Sequence, residues 1–438
     1  MSTLFLEYFN SRKHYVLMLL LSLLILPKSV AAQSLFDSAT SDNKNEELNY
    51  SIGGYFMSGI FADEKDFKSI YAEGALKLDI SGSNIGSAFA ELRYRESDCD
   101  NDDNSFLLRE GYVDLSLNKF DFRIGQQIIV WGRADGFNPT NNITPADYTV
   151  FSPDEDKKRL SNFVFKSVYN IYPVKVEFDW IPVYEASVLP FGNAELPDGV
   201  NWINAGELNP SWKNSSFGLK IDIEKPSFDG SFSYFNGYHK LPGILYTASE
   251  NSYGIYTRPY RTQVFGADFS TVLGSYGLRG EFAYSVPNDE PDSSFSVPCK
   301  QLEYTLGVDS EWNNFSLIVQ YIGKHIFDFN SQNLSQNTLI KEVTKWNKML
   351  FSQQEEWNHS VSVRPSLNLF YETLILEMLG LANFSTEEIY LQPKATYKLA
   401  DAYELIVGAV LYYGPDDTLH GYLEKSRNSG FAELKISF

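Results

Sequence analysis

Cysteine is almost missing from this chain: Cys99 and Cys299 are the only two in 438 residues. A disulfide framework is thereby excluded as the source of stability. Histidine is nearly as scarce, and His14, His239, His325, His359 and His420 fall at no metal-ligand spacing. Basic residues are outnumbered, with 36 Lys and Arg against 56 Asp and Glu and a net charge of -20, so no nucleic-acid partner is expected. The HExxH, GxSxG, phosphate-loop and CxxC patterns are absent. No enzyme, metal site or cofactor is expected on these grounds. Past residue 32 there is also no apolar run long enough to span a bilayer as a helix, in keeping with a mean hydropathy of -0.25.

What is present begins at the N-terminus. Arg12, Lys13 and His14 precede an apolar run from Val16 to Leu26, then Pro27 and Val30-Ala31-Ala32. This reads as a signal peptide over 1–32, cut before Gln33. Its removal takes away Arg12, Lys13, Lys28 and Glu7 and moves the net charge from -20 to -22. An exported chain without an apolar helix can enter a membrane only as a closed barrel, because lipid leaves no other way to satisfy backbone groups. Residues 33–48 are polar, a short periplasmic lead-in far too small for a plug domain, and 49–438 are assigned to the barrel.

Period-2 alternation dominates from Tyr50 onward. Ile70, Ala72, Gly74, Leu76, Leu78 and Ile80 share one face, with Tyr71, Glu73, Lys77 and Asp79 on the other. Such runs predict an all-β, antiparallel transmembrane barrel of 18 strands, with 16 as the alternative; the fifth strand is expected over 120–131 and the last over 428–438. Many strands reach the roughly 9–11 residues that a tilted strand needs to cross a bilayer. Short turns alternate with long connections at 132–160, 185–213, 240–260, 287–300, 328–357 and 414–427. That parity is expected of bacterial outer-membrane barrels and not of a soluble sandwich. The final strand ends on Phe438, as a signal read by the barrel-assembly machinery would.

The polar faces supply the candidate chemistry. Glu91, Arg93, Arg95, Lys175, Glu177, Asp179, Lys220, Asp222, Arg279 and Glu281 are expected to face the lumen, either to act on passing solutes or to brace the wall by pairing. Candidates for a constriction lie in the two long loops: Arg133, Asp135, Asp147, Asp154 and Arg159 in the first, Glu195 and Asp198 in the second. The run Asp154 to Arg159 carries both signs and fits a gate or a self-paired brace. Asp98-x-Asp100-x-Asp102 opens like a calcium loop, but Asp103 and Arg109 stand where Gly and Glu are required. Cys99 and Cys299 fall on loops nearly opposite each other around such a barrel, and two unpaired thiols are the favoured reading. Thr338 to Gln354 has loosely helical spacing and could lie over the mouth.

The element Arg123 to Gly132, followed by Asp135 and Asn138-Pro139, resembles a strand, Trp-Gly, Asn-Pro loop of bacterial porin-like barrels. The broader group is that of alginate-export type barrels and uncharacterised porin-like relatives. Gly414 to Thr418 and Phe431 to Phe438 also look like the closing hairpin of such barrels. The resemblance implies an outer-membrane channel for small hydrophilic solutes or an extended polymer, with outer-membrane lipid as its surroundings. A mixed-charge interior departs from the basic lumen expected of an exporter of an anionic polysaccharide. Two other readings stay open: a transporter for hydrophobic or aromatic compounds, motivated by Phe137, Tyr148, Phe151, Phe191, Trp202 and Trp212, and a non-conducting structural or adhesive barrel.

Overall fold

A computed structural model describes residues 49–82, 86–97, 105–189, 200–203, 208–249, 252–292, 294–329 and 338–438. The expected signal peptide over 1–32, the 33–48 lead-in, Asp98 to Asp103 with Cys99, and Phe191, Glu195 and Asp198 lie outside the described residues. The strands, in chain order, are β1 (Asn49–Ala62), β2 (Phe67–Ser81), β3 (Gly86–Ser97), β4 (Ser105–Leu117), β5 (Phe120–Gln127), β6 (Asn162–Ile171), β7 (Val174–Ile181), β8 (Val200–Trp202), β9 (Ser216–Lys225), β10 (Phe228–Tyr238), β11 (Gly243–Ser249), β12 (Ser252–Arg258), β13 (Arg261–Leu273), β14 (Tyr276–Pro287), β15 (Gln301–Trp312), β16 (Phe315–Ile326), β17 (Trp357–Leu369), β18 (Leu374–Asn383), β19 (Glu388–Ala400), β20 (Tyr403–Tyr413) and β21 (Ser429–Ser437).

All but β8, β11 and β12 belong to one 18-stranded sheet in which each strand pairs antiparallel with its neighbours. The sheet closes where β1 meets β21, from Tyr55 opposite Ser437 to Ala62 opposite Gly430. Phe438 completes the seam, its N–H donating to Gly54 O and its carbonyl accepting from Gly54 N–H, both at 3.0 Å. Turns of two to four residues join the strands at one end, and Asn118 and Asn313 take the positive φ that the tightest hairpins demand. The long connections gather at the other end, called the mouth here.

Burial inverts the soluble pattern. Ile52, Leu76, Val113, Leu219, Phe265, Leu306 and Leu411 are exposed on the outer wall, whereas Glu73, Glu177, Asp179, Asp268, Glu281 and Glu433 are buried inside. A water-soluble sandwich would strand those apolar faces in water, so lipid is the solvent that fits the exterior. Aromatic side chains such as Tyr172, Phe370 and Tyr371 crowd the turn end, and Trp212 and Phe384 the mouth end, as in the belts of membrane barrels.

The mouth carries a small sheet that periodicity did not reveal, beneath the helix whose spacing it did. β11 pairs antiparallel with β12, and β12 parallel with β8, inside connections expected to be irregular at 185–213 and 240–260. A helix over Thr338–Leu350, α2 in chain order after the single turn α1 (Glu155–Lys158), covers this small sheet. Val200, Ile244, Ile255 and Val343 form its core, and Leu419 and Tyr422 of α3 (Leu419–Arg427) pack against it. The result is a cap with its own apolar interior. Another departure concerns β5, which stops at Gln127 rather than at residue 131.

Candidate permeation site

An 18-strand barrel is too wide for wall side chains to fill. The segment 128–161 crosses this space, and its path starts where β5 leaves the wall. Ile128 N–H donates to Glu110 Oε1 at 2.9 Å, and Ile129 exchanges bonds with Thr144 of the same loop, so their ladder positions are given up without orphaning the backbone. Trp131 Nε1 then donates to Glu177 of β7 at 2.8 Å. Arg133 pairs with Asp222 of β9 at 3.0 Å and with Asp268 of β13. Glu281 of β14 accepts from Ala134 N–H at 2.5 Å and from Asn138 Nδ2 and Thr140 Oγ1 at 2.9 Å. Thr305 of β15 donates to Phe137 O at 3.0 Å, and Arg364 of β17 pairs with Asp135 at 2.8 Å.

The returning half meets the opposite wall. Gln392 of β19 donates to Pro153 O at 2.9 Å, and Arg95 of β3 to Phe151 O at 3.0 Å. Lys157 lies 3.5 Å from Glu73 of β2, and Arg109 of β4 donates to Arg159 O at 2.8 Å. The loop is therefore a strap pinned around most of the barrel's inner circumference. It divides the interior into compartments. Toward the mouth lie an apolar recess of about 200 Å³ beside Phe61, Tyr148, Phe151 and Tyr412, and a polar one of about 310 Å³ beside Phe137, Glu303, Asn358 and His420. On the other side lies a charged chamber of about 640 Å³.

Seven basic groups line that chamber: Lys77, Arg93, Lys157, Arg159, Arg364, Lys394 and Lys435. Each faces a carboxylate. Lys77 and Arg93 share Glu91 at 3.6 and 2.6 Å, Lys394 meets Glu377 at 2.9 Å, Lys435 meets Glu404 at 3.3 Å, and Arg159 pairs with Asp156. Asp135, Asp154, Glu155, Asp156, Glu377, Glu404 and Glu433 supply an equal number of acids to the lining. The chamber is thus strongly polar with its charges balanced.

Of the constriction candidates, Asp135, Asp154 and Arg159 line the chamber, Asp154 also capping α1 by accepting from Asp156 N–H at 2.9 Å. Arg133 is sunk into the wall. Asp147 folds back on its own turn, accepting from Thr149 N–H at 2.8 Å. The wall residues of the sequence reading are mostly paired: Arg95 with Glu73 at 3.2 Å, Lys175 with Glu224 at 2.9 Å, Lys220 with Asp222 at 3.0 Å and Arg279 with Asp309 at 3.1 Å. Asp179 differs: among the described residues no N–H or hydroxyl donor reaches its oxygens, and its close partner is the carboxyl of Glu177. Arg364, Glu377, Lys394, Glu404 and Lys435 were missed, although alternation alone puts them on the inward face. Cys299 is a buried thiol. Near the mouth, burial pushes Lys240 down to about 8 while its Nζ donates to Asn141 O at 2.6 Å.

No protein-family profile and no curated protein sequence matches the chain. Solved structures do share its shape. A BenF-like porin from Pseudomonas fluorescens Pf-5 aligns with a TM-score of 0.53 at 9% identity, over 90% of this chain and 98% of that one. This chain has the porin barrel fold. OccK10 (OpdN) from Pseudomonas aeruginosa gives 0.53 at 11% identity over 89% and 98%, and OccAB1 from Acinetobacter baumannii gives 0.53 at 9% over 89% and 96%. At such identities the likeness is one of fold.

Proposed function

We propose that the protein is a channel of the bacterial outer membrane through which small hydrophilic solutes diffuse. The observation that carries this reading is the charged chamber of about 640 Å³ that the strap leaves inside a closed barrel with an apolar exterior. With seven groups of each sign in the lining, single ions of either charge meet partial compensation rather than a uniform field. An anionic polymer of the alginate kind is not favoured by that balance; the resemblance to exporters rests on the short Trp131-Gly132 and Asn138-Pro139 element and the closing hairpin. We take the terminal strand β21 with Phe438 as the segment recognised during barrel assembly, supported by its place at the closing seam. Unit conductance in planar bilayers tests the channel reading, and a folded barrel that never conducts ends it. Such a result would leave the structural barrel, for which the mouth cap speaks.

The apolar recess supports a second reading, a route for hydrophobic or aromatic compounds, because Tyr148 and Phe151 converge there. Among the described residues, the other aromatic candidates do not join them. Trp202 stacks on Trp346 in the cap at 6.3 Å, Trp212 packs on Trp180 at 4.8 Å, and Phe137 borders the polar recess. OpdK of P. aeruginosa, with a TM-score of 0.50 and 10% identity, has been solved with vanillate. Uptake of an aromatic solute measured against a sugar of similar size separates the readings; equal uptake would count against the aromatic route.

A further inference from the structure

The strap is held more firmly in one place than in any other. Glu281 is fully buried at 0% exposure and takes three donors from the loop, the backbone of Ala134 and the side chains of Asn138 and Thr140. Gly132 sits so close that a Cβ there would lie 2.4 Å from Glu281 Oε1, at a φ of +103° that only glycine adopts without strain. One residue on, the Arg133 guanidinium fits between Asp222 and Asp268, and Asp268 also accepts from the Ser231 hydroxyl. Neither Glu281 nor Arg133 lines the charged chamber, whose strap-side wall begins at Asp135 and Gly136. A buried carboxylate with three donors, beside a guanidinium clasped by two acids, is a rigid anchor.

We propose that Glu281 and Arg133 are positioning residues of the channel. They set how far the strap reaches into the lumen, and so the opening beside Asp135 and Arg364, while contributing no charge to the passing solute. This inference rests on the channel reading. A strap released at this point still hangs from Trp131 and from its returning half, so its middle swings rather than unfolding, and the permeable cross-section rises.

The test compares E281A, E281Q and R133A with wild type, and with E224Q as a control at a half-exposed wall pair that the strap does not touch. Purified, heat-modifiable barrels in planar bilayers should show a larger unit conductance and an unsteady open level for E281A and R133A. E281Q keeps one acceptor oxygen and should fall between them and wild type. The reversal potential in a potassium chloride gradient should stay that of wild type in all of these, whereas D135N should shift it. Hydrogen exchange over 131–140 in detergent micelles should quicken in E281A and R133A. Wild-type conductance and exchange in both anchor variants would overturn the proposal. A silent wild type would instead remove the channel reading, and the exchange measurement would then decide the anchor by itself.

Discussion

The indole of Trp131 lies over Gly218 of β9 while its Nε1 donates to Glu177 Oε1 at 2.8 Å, and Lys166 holds the other oxygen of Glu177 at 2.7 Å. Strap and wall are thus locked through one aromatic side chain. Replacing Trp131 with Phe keeps the ring but leaves a buried carboxylate oxygen without its donor, a cost of about 1–3 kcal/mol. Urea titration in detergent micelles should place the W131F midpoint below that of wild type. A Cβ at Gly218 would come within 2.8 Å of the indole, so G218A should fall in the same direction.

Asp179 neighbours that lock and carries the opposite expectation. It is 0% exposed, no N–H or hydroxyl donor reaches its oxygens, and its close partner is the carboxyl of Glu177. A buried acid without a donor gains nothing from its charge. D179N, nearly the same shape, should therefore leave stability unchanged or raise it, in contrast to a clear loss for D268N, which weakens the grip on Arg133. The same urea titration distinguishes the two.

The mouth should respond to pH through His239 and Lys240. His239 stacks on Tyr260 at 5.2 Å, accepts from Leu241 N–H at 3.1 Å, and is held down to about 4 chiefly by burial. As pH falls from about 6.5 to 4, the unfolded chain takes up this proton before the folded one does, so stability is lost across that window, by up to about 3 kcal/mol. Lys240, lowered to about 8 by burial, acts with the same sign at higher pH: stability is gained between about 8 and 10.5 and absent below. Thermal unfolding of H239F followed from pH 4 to 11 should lose the lower slope and keep the upper one.

Asn347 holds the cap together. It is 0% exposed; its Oδ1 accepts from Ile244 N–H at 2.8 Å, and its Nδ2 donates to Ile244 O at 2.7 Å and Ser294 O at 2.8 Å. The amide thereby satisfies the edge of β11 that no strand covers. N347L should orphan three buried backbone groups and open the small sheet, which limited proteolysis would register as faster cleavage between 243 and 258. A cleavage rate equal to that of wild type would show that the clamp is dispensable.

The barrel was legible in the sequence because lipid and lumen impose alternation on every strand, and Leu76 against Lys77 already states which face is which. Wall carboxylates such as Glu177 and Glu281 could be placed inward by the same rule. Their partners could not, since Glu281 meets Ala134 across 147 residues and no local pattern encodes that pairing. The end of β5 was misjudged because Ile128 to Trp131 continue a strand-like apolar run; what stops it is Thr144 and Glu110 offering alternative partners to the backbone. The cap strands were hidden for another reason. β8 has only three residues and β12 borrows its stability from α2 and β11, so neither carries a signal of its own.

The strap's long reach also fixes an order of assembly. Its bonds to Glu281, Arg364 and Gln392 span 147, 229 and 239 residues and join it to strands that come late in the chain. The loop meets its early moorings at Glu73, Glu110 and Glu177 long before those on β14, β17 and β19 exist, and bringing such distant segments together is entropically slow. The passage beside Asp135 and Arg364 takes its final width only once those late strands have joined the sheet.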